Sequence, residues 1–335
     1  MKQKRGATRK EGKEMRESYL PEGELLYRAK NRELTSSYEG LEKAMREEIL
    51  VEGLVRLCDS ERVLQVDLGI ASGLLFPEEA LYCRPGEIRK DVALITRVGK
   101  PVVALIKRLE EQDGKIVAIL SRREAQENCQ KALFAERRPG DLLYAKVTHM
   151  EPFGAFLDVG CGVSALLPVD AISISRISHP RDRLSYGEKL PVVIKSMDRE
   201  SGRISLSLRE LLGTWEENAA RFEAGQTVFG ILRSVESYGA FVELSPNLAG
   251  LAELRGFSME DLKGNLGGAV SVYIKSICPE RMKVKLVLID FCKGVRLTGE
   301  KTFFVDPTVT EHLSRWIYSP PGSQKTVESC FDDPC

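Results

Sequence analysis

The amino-acid sequence predicts a mainly β protein built of tandem small five-stranded barrels joined by helical linkers. Three observations predict it. Residues 139–158, PGDLLYAKVTHMEPFGAFLD, return from Ala224 as AGQTVFGILRSVESYGAFVE, so Phe153-Gly154-Ala155-Phe156 becomes Tyr238-Gly239-Ala240-Phe241 at an offset of 85 residues. Self-similarity of this kind marks a repeated structural unit. The second copy also breaks into five short β-patterned runs bounded by turn residues, the pattern of a small closed barrel. Finally, a spacing of roughly 75 to 90 residues per copy is enough for one small core.

In chain order, residues 1–35 read as a basic, disordered tail. Between Met1 and Arg16, seven cations (Lys2, Lys4, Arg5, Arg9, Lys10, Lys13, Arg16) face only Glu11 and Glu14, with almost nothing apolar to bury. Residues 36–123 read as a helix over 36–50, with Ser36 and Glu39 spaced as a capping box, followed by a degenerate first barrel starting at Val51. That barrel matches the second at an offset of 91, pairing Asp67 with Asp158 and Pro77 with Pro168, but Arg62 and Gln65 stand where the second has Phe153 and Phe156. A linking helix over 124–138 ends at Pro139-Gly140.

The second barrel, 139–209, is expected to place strands at 142–149, 153–159, 164–167, 189–198 and 203–208. A second helical linker spans 210–224, with Leu211, Trp215, Ala219 and Phe222 at helical spacing. The third barrel follows at 225–289, and its later strands match at an offset of 80, so its connection has lost five residues. Residues 290–335 are a C-terminal extension. It holds an expected strand at 301–305, an amphipathic helix at 310–318 around Leu313 and Trp316, and a disordered end beyond Pro320-Pro321.

Composition narrows the function. Lys plus Arg equals Asp plus Glu at 49 each, so a nucleic-acid site has to be a local patch. No apolar run reaches the roughly 18 to 20 residues of a membrane span, and the N-terminus lacks the apolar core of a signal peptide, so a soluble cytoplasmic protein without a membrane partner is expected. Eight cysteines without Cys-x-x-Cys spacing suit reduced thiols. His149, His179 and His312 are too dispersed for a local metal site, and no cofactor is expected. Gly160-Cys-Gly-Val-Ser-Ala165 has the form of a dinucleotide fingerprint, but the residues after it read as a strand, so a tight turn is expected instead. No catalytic set assembles from local spacing, which favours binding over catalysis.

The aromatic pairs carry the functional signal. Rings three apart on a strand project to opposite faces unless a turn or bulge intervenes, and Gly154 can supply that irregularity. One reading buries at least one ring of each pair in the core. The other makes Phe153 with Phe156, and Tyr238 with Phe241, base-stacking platforms. Lys146, Lys195 and Arg203 in the second barrel, and Arg233, Lys275 and Lys283 in the third, are candidate phosphate contacts.

From PFGAFLDVG through VVIKSMDRESGRISLSL, the second copy resembles the S1 RNA-binding repeat, a five-stranded OB-fold family. The third copy resembles it clearly and the first more distantly, and the whole chain resembles short three-repeat S1-like proteins of Gram-positive bacteria. The resemblance implies RNA contacts by Phe153, Phe156, Asp198 and Arg203 in the second barrel, and by Tyr238, Phe241 and Lys283 in the third. The family's third-strand histidine is replaced by Pro168 and Glu253, and its acid by Cys278 in the third copy. It further implies single-stranded RNA, messenger RNA above all, as partner, and contact of the first barrel with the small ribosomal subunit. The alternative is a protein scaffold or accessory factor in RNA turnover or transcription.

Overall fold

The computed structural model describes residues 19–83, 90–254, 256–292 and 301–332. The cationic stretch from Met1 to Arg16 lies outside them. Three closed barrels follow one another, each joining its strands in the order first, second, third, fifth, fourth. The first comprises β1 (Val51–Cys58), β2 (Leu64–Leu68), β3 (Ala71–Leu75), β4 (Pro101–Gln112) and β5 (Lys115–Ser121). The second comprises β6 (Leu142–Glu151), β7 (Gly154–Asp158), β8 (Ser164–Pro168), β9 (Lys189–Asp198) and β10 (Arg203–Ser207). The third comprises β11 (Thr227–Glu236), β12 (Gly239–Ser245), β13 (Leu248–Glu253), β14 (Ala269–Cys278) and β15 (Lys283–Phe291). Third and fifth strands pair in parallel in every barrel, as Ala71 with Ile116, Leu166 with Ser205 and Leu251 with Lys285. Gly160 to Gly162 form the inter-strand turn expected of them, with Val163 N–H donating to the Gly160 carbonyl at 2.8 Å before β8 begins.

By contacts, the chain forms two compact units. One is Met1–Arg138 with Leu157–Ala165 and Met197–Arg203, and the other is Pro139–Phe156 with Leu166–Ser196 and Ile204–Cys335.

In the first unit, the segment ahead of β1 is ordered, contrary to a disordered tail reaching residue 35. Helices α1 (Ala29–Thr35) and α2 (Tyr38–Arg46) add Leu34, Leu41 and Ala44 to the first barrel's core. Ser37, rather than Ser36, caps α2 by accepting from Gly40 N–H at 3.0 Å, because Ser36 Oγ instead donates to the Glu33 carbonyl of the preceding helix. The buried Glu22 carboxylate meets both sides of the Arg122 fork, at 2.6 and 3.0 Å, and Arg97 at 2.8 Å. Burial works to raise that carboxyl, but the two guanidiniums overcome it and hold it below the usual range. Glu22 N–H donates to Asp158 at 2.7 Å, and Asp158 also accepts from Gly160 and Gly162 N–H at 2.8 and 2.9 Å. Arg122 opens helix α3 (Arg122–Glu136), which Ser121 caps. Thus the linking helix, the N-terminal segment and the β7–β8 turn share one buried charge network.

In the second unit, the acid equivalent to Asp158 is Glu243, and it too is buried under an upstream segment. Arg183, from the connection between β8 and β9, pairs with it, and Arg233 Nε reaches it at 2.7 Å. Asn247 accepts from Ile174 N–H at 3.0 Å and donates to the Arg209 and Gly213 carbonyls at 2.8 Å each. The 210–224 linker is not one continuous helix. A 3-10 turn at Arg209–Leu212 and the five-residue α4 (Trp215–Ala219) are separated by Gly213 at φ +83°, where a Cβ would lie 2.5 Å from the Phe304 ring.

Residues 301–332 form a strap, not the expected strand, helix and disordered end. Phe304 N–H donates to the Leu211 carbonyl at 2.9 Å, and Lys301 meets Glu188 at 2.6 Å. His312 lies between Asp141 at 2.7 Å and Asp332 at 2.9 Å. Strand β16 (Arg315–Ile317) pairs with β17 (Glu328–Cys330), and Trp316 and Tyr318 enter the third barrel's core. The buried Tyr318 hydroxyl donates to the Asn247 carbonyl at 2.6 Å. Replacing Tyr318 by Phe leaves that acceptor unpaired, and a loss of about 1–3 kcal/mol is expected in chemical denaturation followed by tryptophan fluorescence. Six described cysteines are free, whereas Cys330 is disulfide-bonded, which departs from the expectation of reduced thiols throughout. Among the described residues, no helix is long and apolar enough to cross a membrane.

Candidate nucleic-acid interface

Phe153 and Phe156 lie together on the surface of the second barrel. Phe153 sits in the tight turn between β6 and β7, not in a strand, so strand alternation does not separate it from Phe156. A Cβ at Gly154 would come within 2.6 Å of the Leu167 carbonyl, so only glycine lets β7 start this close to β8. The Phe153 carbonyl accepts from Val169 N–H at 3.0 Å, which fixes the turn from the other side. The two rings meet edge to face, 6.0 Å apart at 86°, a favourable aromatic geometry. Phe153 is 57% exposed and Phe156 half-buried, so neither ring belongs to the core.

The third barrel repeats the arrangement. Tyr238 and Phe241 lie 6.5 Å apart at 89°, with Tyr238 67% exposed. Strand register continues the row from Phe241 to Ser234 on one side, and to Leu251, Lys285 and Ser276 on the other. In the first barrel the row through Gln65 runs Leu57, Gln65, Leu74, Ile119 and Arg108, without a ring. Arg62 there carries φ +67° and pairs with Asp91 at 3.1 Å.

The candidate cations are placed unequally. Lys195 and Arg203 are exposed, whereas Lys146 is half-buried and engaged within the protein. Lys283 is exposed at the start of β15. Lys275 pairs with Glu253 at 2.8 Å, so the acid standing at the histidine position neutralises it. Arg233 is only 9% exposed and is held by Glu243 and Asp182, so it is not available to a phosphate. Asp198 accepts from the Glu200 and Ser201 N–H groups at 3.0 and 3.3 Å and from the Ser201 hydroxyl. These bonds, that of the Ser201 side chain first, hold its carboxyl below the usual range. Its acceptor capacity goes to shaping the hairpin that presents Arg203.

Sequence reasoning missed two residues of these rows. Lys285 follows Leu251 in the third barrel and is exposed; its place there follows only from the parallel β13–β15 register. His149 lies at the end of β6, with its ring 6.1 Å from Phe156 at 25°. The signal for His149 was its match to Ser234 at the repeat offset of 85, a position that register sets beside Phe241. Among the described residues, no group of His, Cys, Asp and Glu is disposed to hold a metal ion.

The model of the S1 RNA binding domain family matches residues 136–209. The chain is 29% identical over 221 residues to the small ribosomal subunit protein bS1 of Staphylococcus aureus strain N315, which covers 64% of this chain and 55% of that one. It is 34% identical over 160 residues to the bS1 protein of Leuconostoc lactis, covering 46% and 37% respectively. The chain therefore spans about half the length, or less, of the curated relatives it matches. Among solved structures, a multidomain protein with nucleic acid binding domains from Streptococcus pneumoniae matches at 15% identity over 72% of this chain and 73% of that one, with a TM-score of 0.22. The S1 RNA binding domain match falls on the second barrel, and the same five-strand order recurs in the barrels before and after it.

Proposed function

We propose that the second and third barrels bind single-stranded RNA in translation, messenger RNA above all. One observation carries the reading: an edge-to-face pair of one exposed and one half-buried ring recurs at the same place in both barrels, while the first barrel has Arg62 and Gln65 there. Unstacked bases find π-faces on such rings regardless of sequence, and each stacked base contributes roughly 1 to 3 kcal/mol. Lys195, Lys283, Lys285 and Arg203 supply cations for the phosphates, with smaller parts for Lys146 and Lys275. Asp198 acts through the hairpin that carries Arg203. The protein acts by binding rather than by catalysis, in the cytoplasm.

The first barrel is the protein-contacting module, with the small ribosomal subunit as its partner. Its ringless, largely aliphatic row favours protein over bases, and the similar bS1 proteins are small-subunit components by name. A scaffold role in RNA turnover or transcription would rest on the same row.

Fluorescence anisotropy with an unstructured oligonucleotide and a matched duplex tests the reading. Tighter binding to the single strand is expected, with affinity falling linearly in log–log plots against salt. Replacing Tyr238 and Phe241 by alanine is expected to lower single-strand affinity by several-fold or more. Equal binding to both forms, or none to either, overturns the proposal.

A further inference from the structure

The residue across from the inner position of each row differs among the three barrels. It is Leu57 opposite Gln65 in the first and Ser234 opposite Phe241 in the third. In the second, His149 places an imidazole 6.1 Å from the Phe156 ring and 25° from parallel with it. The histidine side chain is 62% exposed, so core packing does not account for it. Two contacts set its position. Thr148 Oγ1 donates to the Phe156 carbonyl at 3.0 Å, tying the end of β6 to β7, and Glu151 Oε1 lies 2.6 Å from His149 Nε2. Phe156 therefore has rings on two sides, Phe153 edge-on and His149 near parallel.

We propose that His149 is a third nucleotide-contacting ring of the second barrel, extending its platform across β6 so that a base next to the one on Phe156 also finds a π-face. The inference rests on the RNA-binding reading above. Pro168, at the end of β8, offers no π-face, so the ring beside Phe156 on the strand side comes from β6. With Nε2 taken by a carboxylate, Nδ1 is the nitrogen left for a polar atom of the nucleotide. Ser234 and Leu57 have no such surface, so the third ring is particular to the second barrel.

The test is anisotropy on the full-length chain with a labelled unstructured oligoribonucleotide, comparing wild type, His149→Ala, His149→Phe and the Phe153→Ala, Phe156→Ala double variant. His149→Ala is expected to weaken binding on the order of tenfold, and His149→Phe to restore most of the loss because stacking is kept. Thermal midpoints of both His149 variants are expected to match wild type, since the side chain is exposed. If His149→Ala binds like wild type while the double variant loses affinity, the inference fails and the RNA-binding reading stands. Should wild type not bind at all, both fall. A His149→Phe variant as weak as His149→Ala overturns the stacking role.

Discussion

Replacing Phe153 and Phe156 together by alanine is expected to weaken binding of unstructured RNA by roughly 2 to 6 kcal/mol, or thirtyfold and more, while Arg62→Ala with Gln65→Ala leaves it unchanged. The asymmetry follows from the surfaces. Phe153 is mostly exposed and Phe156 half-buried, so their loss removes two stacking faces with little loss of core. Arg62 is held by Asp91, and Gln65 lies in a row without rings. Anisotropy titrations of both double variants at one salt concentration make the comparison, with circular dichroism as the folding control. Equal losses would show that the rings are not the distinguishing surface.

The largest stability effect is expected at Arg122. Arg122→Ala takes from the buried Glu22 carboxylate the guanidinium that meets both its oxygens, and loss of one partner from a buried pair costs about 3–5 kcal/mol. By contrast, Arg56→Ala breaks an ion pair to Asp67 whose side chains are 63% and 40% exposed, and about 1 kcal/mol or less is expected there. The protein carries its own reporter for locating the damage. Its two tryptophans, Trp215 and Trp316, both pack in the third barrel's core, so their fluorescence follows that barrel, whereas far-ultraviolet dichroism follows the whole chain. Arg122→Ala is expected to move part of the dichroism transition to lower denaturant and leave the fluorescence transition in place. Glu22→Leu with Arg122→Met removes both charges and should recover a large part of the loss. A loss below 1 kcal/mol for Arg122→Ala would contradict the role given to this network.

What the sequence revealed were the features fixed by near neighbours. Strand β9 at 189–198 and the break at Pro139-Gly140 were readable because alternating apolar residues and turn-forming residues act within a few positions. The ring pairs were readable because the repeat presents them twice. Features decided by distant partners were not legible. Leu211, Trp215, Ala219 and Phe222 have helical spacing, but Phe304, about 90 residues on, packs at Gly213 and splits the segment. Residues 310–318 carry an amphipathic pattern, yet β16 forms because β17 pairs with it and the third barrel takes Trp316 and Tyr318. Arg233 looked like a free cation because Glu243 and Asp182 reach it from other elements. His149 went unread because its meaning depends on which residue lies across β7.

The measurement that bears most directly on the central claim is photocrosslinking of the full-length chain to a single-stranded RNA carrying 4-thiouridine, with crosslinked peptides identified by mass spectrometry. Crosslinks are expected at and around Phe153, Phe156, Tyr238 and Phe241, and none along the Leu57 to Arg108 row of the first barrel. Crosslinks concentrated in the first barrel, with the four rings untouched, would contradict that claim.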